Sequence, residues 1–422
     1  MKETATTSSP VVERIQQDLN SLATYRDDSR PGWTREVFSE SYHASREWTK
    51  RLMREAGLDV FQDDAGNLVG RMQGRDPNAA PIITGSHTDT VDGGGRFDGI
   101  VGVLGAVEAV RNIRESGLRL HRDLIVVDFL GEESNEFGLS CLGSRALAGE
   151  LTPGDMNRVG TRGNTLGQAY EHFGLEPSAA LGKPWIRGTK PHAYIELHVE
   201  QGNALEQAGL GVGIVSAISG IDRLLARFVG KQDHAGTRAM AERHDAMVAA
   251  ASAVLALRAE GCGAPTHGVA TTTSVTNQSH SPNVVPGLVE LRGEVRSTDR
   301  QWLSGTRKRL AEQIGNAAKE LGVEADLSWT TDNEIVEASR GVQDIAAAVV
   351  DAMGIPWMAV PSGATHDAVH MARLAPMGMI FVPSKDGKSH CPEEWTDPAA
   401  IGLGVEVLTR TLRQLDVTAT FN

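Results

Sequence analysis

Cysteine is scarce in this chain. Cys141, Cys262 and Cys391 are spread over 422 positions, with no CxxC pair among them. That argues against a disulfide scaffold and sets a reducing cytoplasm as the expected location. Cys391 adjoins a histidine, but a single cysteine is ordinarily a small buried hydrophobe rather than a nucleophile. Long apolar runs are missing too, and none approaches the ~20 residues of a membrane-spanning helix. The opening "MKETATTSSPVVERIQQDLN" lacks the apolar core of a secretory signal. Basic charge is in deficit. A net charge of −13 disfavours nucleic acid or an anionic membrane as the main partner, yet leaves room for a local basic pocket. What remains, 40% hydrophobic and 23% charged residues, describes a soluble globular protein long enough for two domains.

The order of elements carries more. A helix is expected from Thr34 to Ala56, then a hairpin, "DVFQDD" and "LVGRMQG" around the turn "AGN". The strand "PIITGS", a helix after Asp98 and the strand "LIVVDFL" form a strand-helix-strand unit. A loop-rich stretch from Leu151 to Lys190 leads to the buried strand "AYIELHV". From Gly220 the order becomes strand-helix-strand-strand-helix-strand, the split ferredoxin-like pattern. After Asn333 the α/β style returns, with the strands "WMAVPSG" and "MGMIFVPS" and a closing helix. The expected fold is therefore α/β. A mixed-sheet domain flanked by helices, residues 1–219 plus 336–422, carries a smaller inserted α+β domain, residues 220–335.

The chemistry concentrates where strands end. "GSHTDTVDGGGRFDG" places one His, three Asp and a glycine run between a strand and a helix, which is more than a plain turn requires. His87 and Asp89 follow "PIITGS", and Asp98 comes eleven residues after His87. Glu132 and Glu133 follow "LIVVDFLG", His198 ends "AYIEL", and His390 lies past "MIFVPSKDGKS". Open α/β sheets hold ligands at such strand ends. Taken singly, a loop histidine or an acidic pair is usually a solvated surface feature. Repetition at several strand exits is harder to explain that way, because buried charge is costly without a counter-ion. Imidazole and carboxylate together suit Zn²⁺ and tolerate Mn²⁺, Co²⁺ or Ni²⁺.

These stretches resemble a known family. "GSHTDTV", "GGRFDG", "EES", "ELHVEQG", "DHAGT", "SPNVVPG", "EVRS", "SGATHDA" and "SHCPEE" occur in one order. That order is similar to the N-carbamoyl-L-amino acid hydrolase and allantoate amidohydrolase (hydantoinase/carbamoylase amidase) branch of the dinuclear zinc metallopeptidase clan. The clan also holds acetylornithine deacetylase and carboxypeptidase G. The resemblance runs from Pro10 to the last helix. It implies two divalent ions, Zn or Mn with Co or Ni possible, about 3.5–4 Å apart. Asp98 would bridge them, and His87, Glu133, His198 and His390 would complete the ligands. Asp89 would orient His87. Glu132 would be the general base for a bridging water. His234 would stabilise the oxyanion in the partner subunit's site, which requires a homodimer through the inserted lid. Arg296 would grip the substrate carboxylate. Gln201, Asn283, Gly363, Thr365 and His366 would lie along the substrate.

Two positions depart from that pattern: Thr365 stands where Gly is expected, and Glu136 where Arg is common. His370, four residues after His366, has zinc-pair spacing without the HExxH general base and reads as structural. The implied activity is hydrolysis of the carbamoyl or ureido C–N bond of a small carboxylate. A deacylase, or an aminohydrolase of an aromatic or other amine, is the alternative that Thr365 suggests. A non-catalytic binding module is the alternative of a different class, and loss of Glu132 or a ligand would have marked it.

Overall fold

The computed structural model describes residues 9–182, 190–279 and 281–421. Residues 183–189, the end of the loop-rich stretch, lie outside them. The described residues divide into two compact units. The first holds the residues up to Ser216, Ala338–Val360 and those from His366 onward; the second holds Ala217–Glu337 and Pro361–Thr365.

In the first unit the strands run side by side in the order Asp59–Gln62, Leu68–Met72, Leu124–Phe129, Ile82–His87, Ala193–Val199, Met377–Val382 and Val212–Ile218. The four strands from Leu124–Phe129 to Met377–Val382 are mutually parallel. The hairpin on one side and Val212–Ile218 on the other are antiparallel. This is the expected mixed sheet. Every residue of the four parallel strands is buried, which is why each reads as a continuous apolar run instead of alternating. Helices Ile100–Glu115 and Pro398–Val417 pack on one another and on the central strands. Val103, Leu104, Val107, Leu408 and Leu412 of these helices belong to the main hydrophobic core at 0% exposure, each contributing about 1.5–3 kcal/mol by burial. Parallel strands share a direction, so the residues at their carboxyl ends meet along one edge of the sheet.

One expected boundary is corrected. The first long helix after Leu22 begins at Glu40, not Thr34, with the Ser39 hydroxyl capping the Tyr42 amide. Residues 34–38 are held elsewhere. The Thr90 hydroxyl accepts from Arg35 N at 2.8 Å, and the Thr34 hydroxyl accepts from Gly93 N at 2.9 Å. Arg35, fully buried, donates from Nε to the Thr88 carbonyl. These tertiary bonds to the loop after Ile82–His87 outweigh local helix propensity. Within "HDAVHMARL" a short helix covers Ala368–Met371, and the described part of the loop-rich stretch contains three short helices, Pro153–Met156, Leu166–His172 and Pro177–Ala180.

The second unit is a four-stranded antiparallel sheet in the order Glu324–Asn333, Gly220–Val229, Leu288–Ser297 and Val269–Asn277. In chain order these are strands four, one, three and two, the ferredoxin-like arrangement. Helices Ala246–Cys262 and Arg300–Glu320 cover one face, burying Leu224, Phe228, Leu257, Leu310 and Ile314. No helix among the described residues is long and apolar enough to cross a membrane.

Arg46 ties helix Glu40–Glu55 to the sheet. Its Nη1 lies 3.2 Å from Asp128 Oδ2 and donates to the Asp128 carbonyl at 3.0 Å, while Nη2 donates to the Gly66 carbonyl. Removing one partner of such a buried pair strands the other. Arg46→Ala is therefore expected to lower unfolding stability by about 3–5 kcal/mol in urea titrations, and an unchanged midpoint would contradict the assignment.

Candidate metal centre

Three strand ends and two loops build the site in the first unit. His87 is the last residue of Ile82–His87, and His198 is the penultimate residue of Ala193–Val199. Glu132 and Glu133 come three and four residues after Leu124–Phe129. Asp98 lies just before helix Ile100–Glu115, and His390 lies in the loop after Met377–Val382. The structure brings all of them together. His87, Asp98 and His198 offer ligand atoms within 4.8 Å of one another, and so do Asp98, Glu133 and His390. Asp98 belongs to both groups and divides its oxygens between them. Oδ1 is 3.2 Å from His198 Nε2 and 4.0 Å from His87 Nε2; Oδ2 is 3.0 Å from His390 Nε2. Glu133 Oε1 completes the second group, 3.5 Å from His390 Nε2.

The imidazoles are oriented from behind. His87 Nδ1 faces the Asp89 carbonyl at 3.1 Å, and His198 Nδ1 faces the Val199 carbonyl at 2.8 Å. A proton on each Nδ1 leaves both Nε2 lone pairs directed inward, as metal-binding histidines are arranged. The Asp89 carboxylate accepts from the backbone amides of Glu132 at 3.2 Å and Glu133 at 3.0 Å. One carboxylate therefore fixes the acidic pair while its own backbone carbonyl fixes His87.

Electrostatics set the same requirement. Burial pushes the Glu132 carboxyl well above the usual range and Glu133 up to about 7, the charge of Asp98 adding to the latter. The hydrogen bond to Asp98 raises His390 to about 9. Burial opposes charge on His87, yet Glu132 and Asp89 outweigh it and hold the ring well above its ordinary value. Among the described residues no lysine or arginine pairs with Asp98, Glu132 or Glu133. Buried carboxyls without a fixed cation, facing histidine ring nitrogens, fit divalent cations of the Zn or Mn type.

Glycine permits the close packing. Gly99 has φ +67°, and a Cβ there would lie 2.3 Å from the His87 ring.

The remaining candidates are placed as follows. Gln201 Nε2 donates to Asp98 Oδ2 at 2.7 Å and lies 3.3 Å from Ser389 Oγ, so it contacts a candidate ligand. His366 lies in the same unit, its ring centroid 4.4 Å from that of His198. His370 pairs with Glu150. In the second unit, strand Asp233–His234 pairs with Val284–Val285, and the Ala235 amide donates to the Asn283 carbonyl, so His234 and Asn283 are neighbours. His234 Nδ1 accepts from the Gly236 and Thr237 amides. In the neutral ring the proton is then on Nε2, leaving an exposed donor. Arg296 donates from Nε to Glu294 at 2.7 Å and from Nη1 to the Gly363 carbonyl at 3.0 Å. The Thr365 hydroxyl donates to Asn333 Oδ1 at 2.9 Å, and Glu136 accepts from the Arg162 amide at 3.1 Å. The sequence reading assigned no role to Glu394, Ser389 or Cys141, all of which touch site residues. The only signal for the first two was their place beside His390 in "SHCPEE".

Comparison with known proteins bears on these groups. Residues 82–414 match the family model Peptidase family M20/M25/M40. The chain is 37% identical over 410 residues to the N-carbamoyl-L-amino acid amidohydrolase of Geobacillus stearothermophilus, covering 96% of this chain and 98% of that one. It is 33% identical over 412 residues to the ureidoglycolate hydrolase of Arabidopsis thaliana, covering 96% and 86%. A crystal structure of an amidase of the hydantoinase/carbamoylase family from Burkholderia multivorans superposes with a TM-score of 0.86 at 30% identity, covering 97% and 98%.

Gly99→Ala tests the geometry. The added methyl must displace the His87 ring, so the variant is expected to retain fewer Zn or Mn ions per chain after gel filtration, measured by plasma emission. Parent stoichiometry in the variant would contradict this packing.

Proposed function

The chain belongs to peptidase family M20/M25/M40, and from that membership we propose that it is a metal-dependent amidohydrolase. The bond it cleaves is the carbamoyl or ureido C–N bond of a small carboxylate, either an N-carbamoyl-L-amino acid or a ureido acid of the allantoate kind. The observation that carries this reading is the division of Asp98 between two histidine-carboxylate groups.

When bound, two divalent cations would polarise the substrate carbonyl and make a water acidic near neutral pH. His87, Asp98, Glu133, His198 and His390 are the residues that would hold them. Glu132 would take the water's proton and hand it to the leaving nitrogen. Its Oε2, 3.6 Å from His87 Nε2, supports this, as does burial that raises the carboxyl above its ordinary range and so makes it a stronger base than a solvated glutamate. Asp89 holds Glu132 and His87 in register. His234 would donate from Nε2 to the oxyanion. Arg296 would bind the carboxylate through its guanidinium fork. Hydrolysis of a carbamoyl group then yields ammonia, carbon dioxide and the free amine.

Substrate class is supported by the two hydrolases to which the chain is 37% and 33% identical. The hydrogen bond that ties the Thr365 side chain to Asn333 removes the reason to prefer a deacylase. A homodimer through the second unit is supported by exposed apolar residues there, Met240, Val248, Leu255 and Val275. Three free cysteines support a cytoplasmic location.

Ammonia release from N-carbamoyl-L-amino acids and allantoate, with free amino acid release followed for N-acyl amino acids, tests the reading. Turnover of the carbamoyl or ureido members is expected, and turnover of the acyl members alone would overturn it. Glu132→Gln is expected to lower kcat about 10²–10⁴-fold with KM and metal content near parent values; full turnover would refute its role. Arg296→Ala is expected to raise KM for carboxylate substrates at least tenfold, a change that steady-state kinetics would detect.

A further inference from the structure

We infer that Glu394 is the positioning residue that makes Asp98 able to face two cations at once. The inference rests on the metal-centre reading above and adds the device that sets it up.

Glu394 is 2% exposed. Its Oε2 accepts from the backbone amides of Phe97 at 2.8 Å and Asp98 at 3.2 Å. Its Oε1 accepts from the Ser389 hydroxyl at 2.8 Å, and the same hydroxyl lies 3.1 Å from Asp98 Oδ2. One carboxylate thus holds the peptide units on which Asp98 is carried, and through Ser389 it reaches the Asp98 side chain. His390 immediately precedes the turn that ends at Glu394, closed by the Glu394 amide on the Cys391 carbonyl at 3.1 Å. The segment that brings His390 to Asp98 Oδ2 therefore runs straight into the turn that clamps the Asp98 backbone. Two of the three candidate ligands of the second group, Asp98 and His390, are set by one local structure, even though they lie almost three hundred residues apart.

The glycine run answers to this contact. A Cβ on Gly95 would lie 2.1 Å from Glu394 Oε2, so only glycine lets the carboxylate reach the amides behind it. Buried amides without an acceptor are costly. With Glu394 removed, the loop before helix Ile100–Glu115 must turn to find other partners. Asp98 then keeps its contact with His198 and loses the alignment of Oδ2 toward His390. The expected loss falls on the cation shared with Glu133 and His390 rather than on both.

The structural alternative is that Glu394 only stabilises the fold. Metal titrations without substrate separate the two roles. Manganese binding to chelated protein is followed by electron paramagnetic resonance, with thermal unfolding measured alongside. Glu394→Ala is expected to weaken one of two ions about 10–100-fold and to lower kcat more than it changes KM. Glu394→Gln can still accept from both amides and donate to Ser389, so it is expected to stay within threefold of the parent in both readouts. Ser389→Ala removes only a hydroxyl. It keeps the test open if Glu394→Ala fails to fold, and it is expected to weaken the same ion several-fold.

Parent affinity for both ions in Glu394→Ala overturns the inference, and so does unchanged affinity in Ser389→Ala. A Glu394→Gln variant as poor as Glu394→Ala also overturns it, since charge and not hydrogen-bond geometry would then be the cause. If the parent binds two ions yet releases no ammonia, the functional reading fails while the ion-binding results still decide the role of Glu394.

Discussion

Asp98 presents one oxygen to His198 and His87 and the other to His390, and much of the catalytic unit is arranged around holding it in that attitude. A carboxylate with 6% exposure in a nest of other acids is unfavourable by itself. What offsets the cost is a set of imidazole nitrogens on both sides, each turned inward by a backbone carbonyl or by its own loop. The hydrogen bonds with His198 and His390 hold the Asp98 carboxyl well below its ordinary range, although burial works the other way. Cations in the same place would act in the same direction and more strongly.

The sheet explains how residues so distant in sequence arrive together. Four parallel strands end on one edge, and three of them deliver His87, the Glu132–Glu133 pair and His198 within a few residues of their ends. The fourth leads into the loop that carries His390 and Glu394. Loops at such an edge can change without disturbing the packed helices behind it, because the two faces of the sheet carry the core and the edge carries the chemistry. The inserted ferredoxin-like unit has its own core, so its candidate site residues, His234, Asn283 and Arg296, are held by a scaffold built independently of the candidate metal ligands.

Much of this was legible in the chain because a few rules governed it. Strands buried on both faces are written as unbroken apolar runs, so "LIVVDFL" and "AYIELHV" announced themselves. The strand-helix-strand-strand-helix-strand order announced the second unit. Histidine and acid recurring at strand exits announced a polyvalent site. Other features were hidden because their causes are tertiary. Residues 34–38 have acceptable helix propensity and become a loop because Thr34 and Arg35 bind the turn after His87. Glu394 looks like one more solvated acid in "CPEE" until the Phe97 and Asp98 amides are seen against it. The hydrogen bond from Gln201 to Asp98 is another contact that no spacing rule encodes. The tautomer of His234 depends on two backbone amides three residues away at most, and only the folded turn reveals them.

The central claim is that this carboxylate-centred cluster acts through two cations. Reconstitution measures that most directly: chelate the protein to remove bound metal, titrate Mn²⁺ or Zn²⁺ back, and follow ammonia release from an N-carbamoyl-L-amino acid at each step. The account predicts no release from the chelated protein and activity that saturates at two ions per chain. Release that survives chelation, or that is complete with a single ion per chain, would contradict it.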